Sequence, residues 1–148
     1  SGDPYQWQVQ ETASAIVKDL NVERLDWQVC YQSRVGPLEW IGPSTEDAIT
    51  QAGSEGKSLI VVPLAFVSEH SETLVELDIE YKSLADSSGV PSYHRVPALG
   101  VTPEFIAALS DMALHDRKRG CNGVKGNQIC PEKYCRCGCL SFKTLVNH

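Results

Sequence analysis

The run SLIVVPLAFV (58–67), which leads directly into FVSEHSETLVELDIEY (66–81), decides the fold class of this chain. Its first half is continuously apolar and β-branched, the pattern of a strand buried on both faces, and such strands belong to parallel sheets. Pro63 suits the end of that strand, where no ladder donor is needed. Downstream, residues 71–87 predict a helix that closes at Gly89. YHRVPAL (93–99) then predicts a short strand, and Thr102-Pro103 opens a last helix with Phe105, Ile106, Leu109, Met112 and Ala113 on one face.

Upstream, Ser44 or Thr45 caps a helix over 45–54, with Gly56 near its end. VGPLEWIGP (35–43) holds two Gly-Pro pairs around Trp40 and predicts a loop. Trp27, Val29 and Tyr31 alternate with Gln28 and Gln32, which predicts a strand near 26–32 that includes Cys30. Asp3-Pro4 supplies an N-cap and a first helical residue for an amphipathic helix over 4–20. The order α-β-α-β-α-β-α with short connections specifies an α/β domain. We expect a four-stranded parallel sheet with right-handed crossovers and helices on both faces, a Rossmann-like half.

Composition divides the 148 residues into two parts. Formal net charge is −6 overall. Residues 1–116 carry a net of −12 and residues 117–148 a net of +6, and five of the six cysteines fall between Cys121 and Cys139. The expected organisation is an α/β domain over 1–119 and an irregular, cysteine-rich tail over 120–148. A 42% apolar content argues against wholesale disorder. No apolar run approaches the roughly 18 residues of a membrane span, and with no signal-like opening the chain reads as cytoplasmic. Nucleic-acid binding is disfavoured because the basic residues sit among cysteines without interleaved aromatics.

In open parallel sheets, ligands bind beyond the carboxyl ends of the strands. The strand at 58–65 therefore delivers Glu69 and His70 to the functional edge. Glu72, Glu76 and Glu80 follow at i, i+4, i+8 as one stripe, beside an apolar face of Leu74, Leu77, Tyr81 and Leu84. Like charges at that spacing cost roughly 0.2–0.5 kcal/mol each, and no cation intervenes before Lys82. A one-sign ladder headed by a histidine suits the passage of a cation or of protons. The plain alternative is a solvated acidic face.

GDPYQWQVQET (2–12), YQSRVGPLEWIGPSTEDAI (31–49) and VPLAFVSEHSETLVELDIEY (62–81) together resemble the C-terminal half of ferrochelatase, in register over residues 2–110. The resemblance implies insertion of Fe²⁺ into protoporphyrin IX to form protoheme. It places Glu72 at the family's active-site glutamate, His70 and Glu69 at the pair preceding it, and Glu76 and Glu80 on an acidic ladder in a locally π-like helix. Trp40, Tyr5 and Ser33 match residues lining the macrocycle pocket. The family's catalytic histidine lies just upstream of the GDPY turn, and none of His70, His94, His115 or His148 fits it. The resemblance thus implies a part of the enzyme, inactive alone, whose partners are protoporphyrin IX, Fe²⁺ and the other half. The blocks are less like the smaller sirohydrochlorin chelatases, which pair histidines in one domain.

The cysteine segment leaves three readings open. Disulfides conflict with a cytosolic chain. Structural zinc prefers paired C-x2-C knuckles, which this spacing lacks. An iron–sulfur cluster tolerates irregular spacing. Resemblance to bacterial ferrochelatases implies a [2Fe-2S] cluster on Cys130, Cys137 and Cys139, with Cys135 or Cys121 as a possible fourth ligand if none comes from the other half. Cys30 is expected in the core. A thiol-sensing or cluster-bearing module on an α/β scaffold is the reading from another functional class.

Overall fold

The computed structural model describes residues 2–32, 41–115, 130–131 and 133–137, with backbone only at Glu72 and His115. In chain order it contains α1 (Tyr5–Leu20), α2 (Thr45–Ser54), β1 (Leu59–Val61), a π-helix (Glu72–Glu80) that runs straight into α3 (Tyr81–Ser87), β2 (Tyr93–Arg95) and α4 (Pro103–His115). The chain forms two compact units: one is Thr12–Gly100, and the other combines Ser1–Glu11 with Val101–His148.

Helix starts follow the capping chemistry of the sequence. The Asp3 carboxylate accepts the Tyr5 N–H at 2.8 Å and the Pro4 carbonyl accepts the Gln8 N–H at 2.8 Å, so α1 starts at Tyr5, one residue after the expected start at Pro4. Ser44 caps α2 by accepting the Asp47 N–H at 3.1 Å. Beyond α3, Gly89 takes φ +82°, the left-handed turn that ends a helix without a Cβ penalty. Gly53 serves a close approach instead: a Cβ there would meet the Ser88 carbonyl oxygen, so α2 can pack on the end of α3 only with glycine at this position.

β1 and β2 pair in parallel, with Leu59 opposite Tyr93 and Val61 opposite Arg95. The connection between them is the π-helix and α3, the expected β-α-β crossover. Ile49, Leu77, Tyr81, Ala85 and Val90 form the core, and Leu59, Val61, Leu84 and Tyr93 pack against it. Burial alternates along β1, and Ile60 is 72% exposed. Among the described residues the strand is covered on one face, not two.

The expected four-stranded sheet, of which the sequence assigns three strands, reduces to two strands among the described residues. At 26–32 only Tyr31 makes a bridge, in parallel to Ser44. The side-chain alternation there is genuine, but a strand also needs a continuous partner for its backbone groups. Strands 58–65 and 93–99 shorten to three residues each. The predicted boundary at 119/120, together with Cys121, Cys139, Ser33 and Trp40, lies outside the described residues.

Candidate active site

The helix after β1 is wound as a π-helix from Glu72 to Glu80, as the ferrochelatase resemblance implies. Its i→i+5 hydrogen bonding widens the turn, so residues four apart stack along one side. The buried row is accordingly Thr73, Leu77, Tyr81 and Ala85. This corrects the apolar face expected from α-helical spacing: Leu74 is 46% exposed, and Thr73 takes its inward place. Glu76 and Glu80 lie on the adjacent row, in line with the backbone position of residue 72. Glu76 is half-buried and accepts the Gln32 side-chain amide at 3.1 Å, while Glu80 is exposed. Gln32 brings the Tyr31–Gln32 segment onto Glu76.

The entry to the helix is fixed by side chains. His70 donates its backbone N–H to Thr73 Oγ1 at 2.7 Å, a capping arrangement in which the residue three further on reaches back to the helix start. Thr73 Oγ1 also lies 3.0 Å from Glu69 Oε2 and 2.8 Å from the His70 carbonyl. The His70 ring is exposed, stacked on Phe66 with centroids 5.4 Å apart, and its Nδ1 lies 3.4 Å from Ser71 Oγ. Glu69 Oε1 accepts from the Ala98 N–H and from Arg95 Nη1, both at 3.0 Å. Arg95 grips Asp78 through both carboxylate oxygens.

The Ala98 N–H and the Arg95 guanidinium hold the Glu69 carboxyl below the usual carboxylate range. Arg95 does the same for Asp78. A carboxylate with a depressed folded pKa stabilises the fold above its unfolded pKa and loses that contribution as pH falls toward the folded value. The unfolded values are about 4.3 for Glu and about 3.9 for Asp. The thermal midpoint should therefore fall as pH drops below about 4.3. Glu69→Gln should make that acid limb shallower, and an unchanged limb in a pH series of melting curves would remove Glu69 from the account.

Sequence reasoning missed four of these residues. Thr73 and Gln32 carry no signal in a single sequence. Arg95 and Asp78 left a weak one: Arg95 is the lone Lys or Arg between Lys82 and Arg117, and it follows an acidic helix that needs a counter-charge.

In the other unit, Cys130 and Cys137 are buried with their thiols in hydrogen-bonding reach of one another. Gln8 of α1 donates its side-chain amide to Cys130 Sγ at 3.3 Å. Burial pushes the Cys130 thiol up, against the pull of Gln8. Trp7 packs on Tyr134 with ring centroids 5.9 Å apart, and the Arg136 N–H bonds the Gly2 carbonyl at 2.9 Å, so the GDPY turn and the segment 133–137 hold one another. Cys135 is exposed, and its sulfur lies 2.7 Å from where a Cβ on Gly2 would stand. Among the described residues no disulfide forms. Among the described residues, no three His, Cys, Asp or Glu side chains converge as a metal site. Tyr5 opens α1 and is 43% exposed. Cys30 is half-buried, and its thiol is pushed up by burial.

The Ferrochelatase family model matches residues 1–117. The chain belongs to the ferrochelatase family. It is 52% identical over 144 residues to a curated ferrochelatase of Pelagibacter ubique, covering 96% of this chain and 42% of that protein. It is equally identical to the ferrochelatase of Phenylobacterium zucineum over 97% of this chain and 42% of the relative. The ferrochelatase of Rickettsia bellii is 49% identical over 146 residues, 95% of this chain. The chain thus spans about 42% of the length of the curated relatives it matches.

Proposed function

We propose that this chain supplies one wall of a ferrochelatase active site, at which Fe²⁺ enters protoporphyrin IX and two pyrrole protons leave. The observation that carries this reading is the π-helix that begins at Glu72 within a chain of this family. Residues four apart share one side of a helix, so positions 72, 76 and 80 form one row along it. A row of carboxylates can pass a divalent cation inward or take up displaced protons. Glu72 is assigned the reacting end of that row, His70 stands beside it, and Glu76 and Glu80 lead outward. Trp40, Tyr5 and Ser33 are assigned to the macrocycle pocket. The opposing histidine wall would come from residues outside this sequence.

The cysteine tail, 120–148, is proposed as an element chemically distinct from the α/β part, 1–119, with its described residues docked on Gly2, Trp7 and Gln8. Cys130, Cys137 and Cys139 would hold a [2Fe-2S] cluster, with Cys135 or Cys121 in reserve. The buried Cys130–Cys137 pair and its amide donor fit a thiolate-ligated cluster in donor type. Such a cluster would supply a redox-active centre. No helix among the described residues is long and apolar enough to cross a membrane, and the proposed site of action is the cytoplasm, with at most peripheral membrane contact.

A metal-insertion assay tests the proposal. The isolated chain should not metalate protoporphyrin above the uncatalysed rate, whereas the complete polypeptide should. Turnover by the isolated chain would overturn the two-wall arrangement, and none by the complete polypeptide would overturn the activity. Prepared anaerobically, the complete polypeptide should be coloured and contain iron and acid-labile sulfide. A colourless protein without either would remove the cluster.

A further inference from the structure

The π-helix must keep its winding, because that winding buries Thr73 in place of Leu74 and sets the backbone from which the acidic row starts. Two fixed points are visible, and both are acidic. Glu69 lies three residues before the π segment, and Asp78 lies near its far end. Arg95, at the end of β2, binds both: Nε and Nη2 take the two oxygens of Asp78, and Nη1 takes Glu69 Oε1 at 3.0 Å. Nη1 also lies 3.3 Å from the Val96 carbonyl. Its side chain is only 11% exposed, so the guanidinium is held between strand and helix and is not a solvated surface cation. Backbone pairing anchors it in turn, since Arg95 stands opposite Val61 and the Val96 N–H bonds the Val61 carbonyl at 2.8 Å.

The geometry points to Arg95 as a positioning residue of the metal-insertion site: one guanidinium ties the two ends of the Glu69–Asp78 span to β2 and so fixes where His70 and Glu72 stand. This inference rests on the function proposed above. Glu69 transmits the restraint, because its other oxygen holds Thr73 Oγ1, which caps the helix through the His70 N–H. The shape of the group matters. A planar fork with five donors can serve two carboxylates in fixed directions, whereas a lysine ammonium is a point charge on a flexible stem. Arg95→Lys therefore preserves charge while releasing one end of the span.

The test uses the complete polypeptide. Arg95→Lys should lower kcat for porphyrin metalation by roughly 10–100-fold, the effect of misplacing reacting groups by about an ångström. The KM for porphyrin should stay within about twofold, because binding and transition-state alignment separate in this way. Amide hydrogen exchange should accelerate about tenfold over residues 70–78 and not in α1 or α2, since local opening is read segment by segment. In Arg95→Ala, added methylguanidinium should restore part of kcat, and methylammonium at the same concentration should not. Unchanged exchange over 70–78 in Arg95→Lys would overturn the inference. So would a loss of protection spread evenly over all helices, or rescue by both amines alike. Absence of turnover in the unsubstituted protein would instead defeat the proposed function, and the exchange measurement would still decide the role of Arg95.

Discussion

Glu72→Gln in the complete polypeptide is expected to lower porphyrin metalation by about 10²–10⁴-fold, the usual range for losing a positioned acid–base group. The amide keeps the size and planarity of the carboxylate, so the backbone of the π-helix has no reason to rewind. What it loses is negative charge and the ability to take a proton. Both proposed duties of the residue, metal handling and proton acceptance, need that charge. Glu76→Gln and Glu80→Gln should cost less, because groups further along the row feed the site without touching the reacting nitrogens. The measurement is initial-rate metalation under anaerobic conditions, with circular dichroism as the control on folding. A rate within a few-fold of the unsubstituted protein would return the acidic stripe to the solvated face that composition alone allows.

Much of the frame of this site was legible in the sequence because it is written in local chemistry. Asp3-Pro4, Ser44 and Gly89 mark helix ends through hydrogen bonds and backbone angles that involve only near neighbours. The run at 58–67 identified a parallel strand, and its pairing with Tyr93–Arg95 followed from the helix between them. Less was legible wherever distant residues decide. The alternation at 26–32 promised a strand, but without a continuous partner only the Tyr31 bridge to Ser44 forms. The acidic helix was visible as a helix, and its winding was not: the family resemblance, not periodicity, implied the π turn. An α-helical stripe of Leu74, Leu77, Tyr81 and Leu84 is the natural reading of the hydropathy, yet a polar residue, Thr73, is fully buried in the row that forms. Its hydroxyl is satisfied by Glu69 and His70, a cost and compensation that a hydropathy pattern does not record. Arg95 was invisible for the same reason, since its partners lie 17 and 26 residues away.

Leu77→Ala tests that altered winding through stability. Leu77 is 2% exposed and packs in the core with Ile49, Tyr81, Ala85 and Val90. Truncation there should cost about 2–5 kcal/mol, because the removed methyl groups lose their burial and leave a cavity that rigid neighbours fill only partly. The Leu77 carbonyl accepts the Tyr93 hydroxyl at 2.8 Å, a bond that alanine retains, so the loss measures side-chain packing and not strand attachment. Leu74→Ala is the informative comparison. Under α-helical spacing the two leucines would share the inward face and cost similar amounts. Under π winding Leu74 is 46% exposed, and its truncation should cost less than about 1 kcal/mol, being half relieved of burial from the outset. Urea unfolding of the complete polypeptide gives both values on one scale. Equal losses at 74 and 77 would restore the α-helical stripe. A loss confined to 77 would mean that the core itself holds the turn open, with the carboxylate row aligned by the same residues that stabilise the fold.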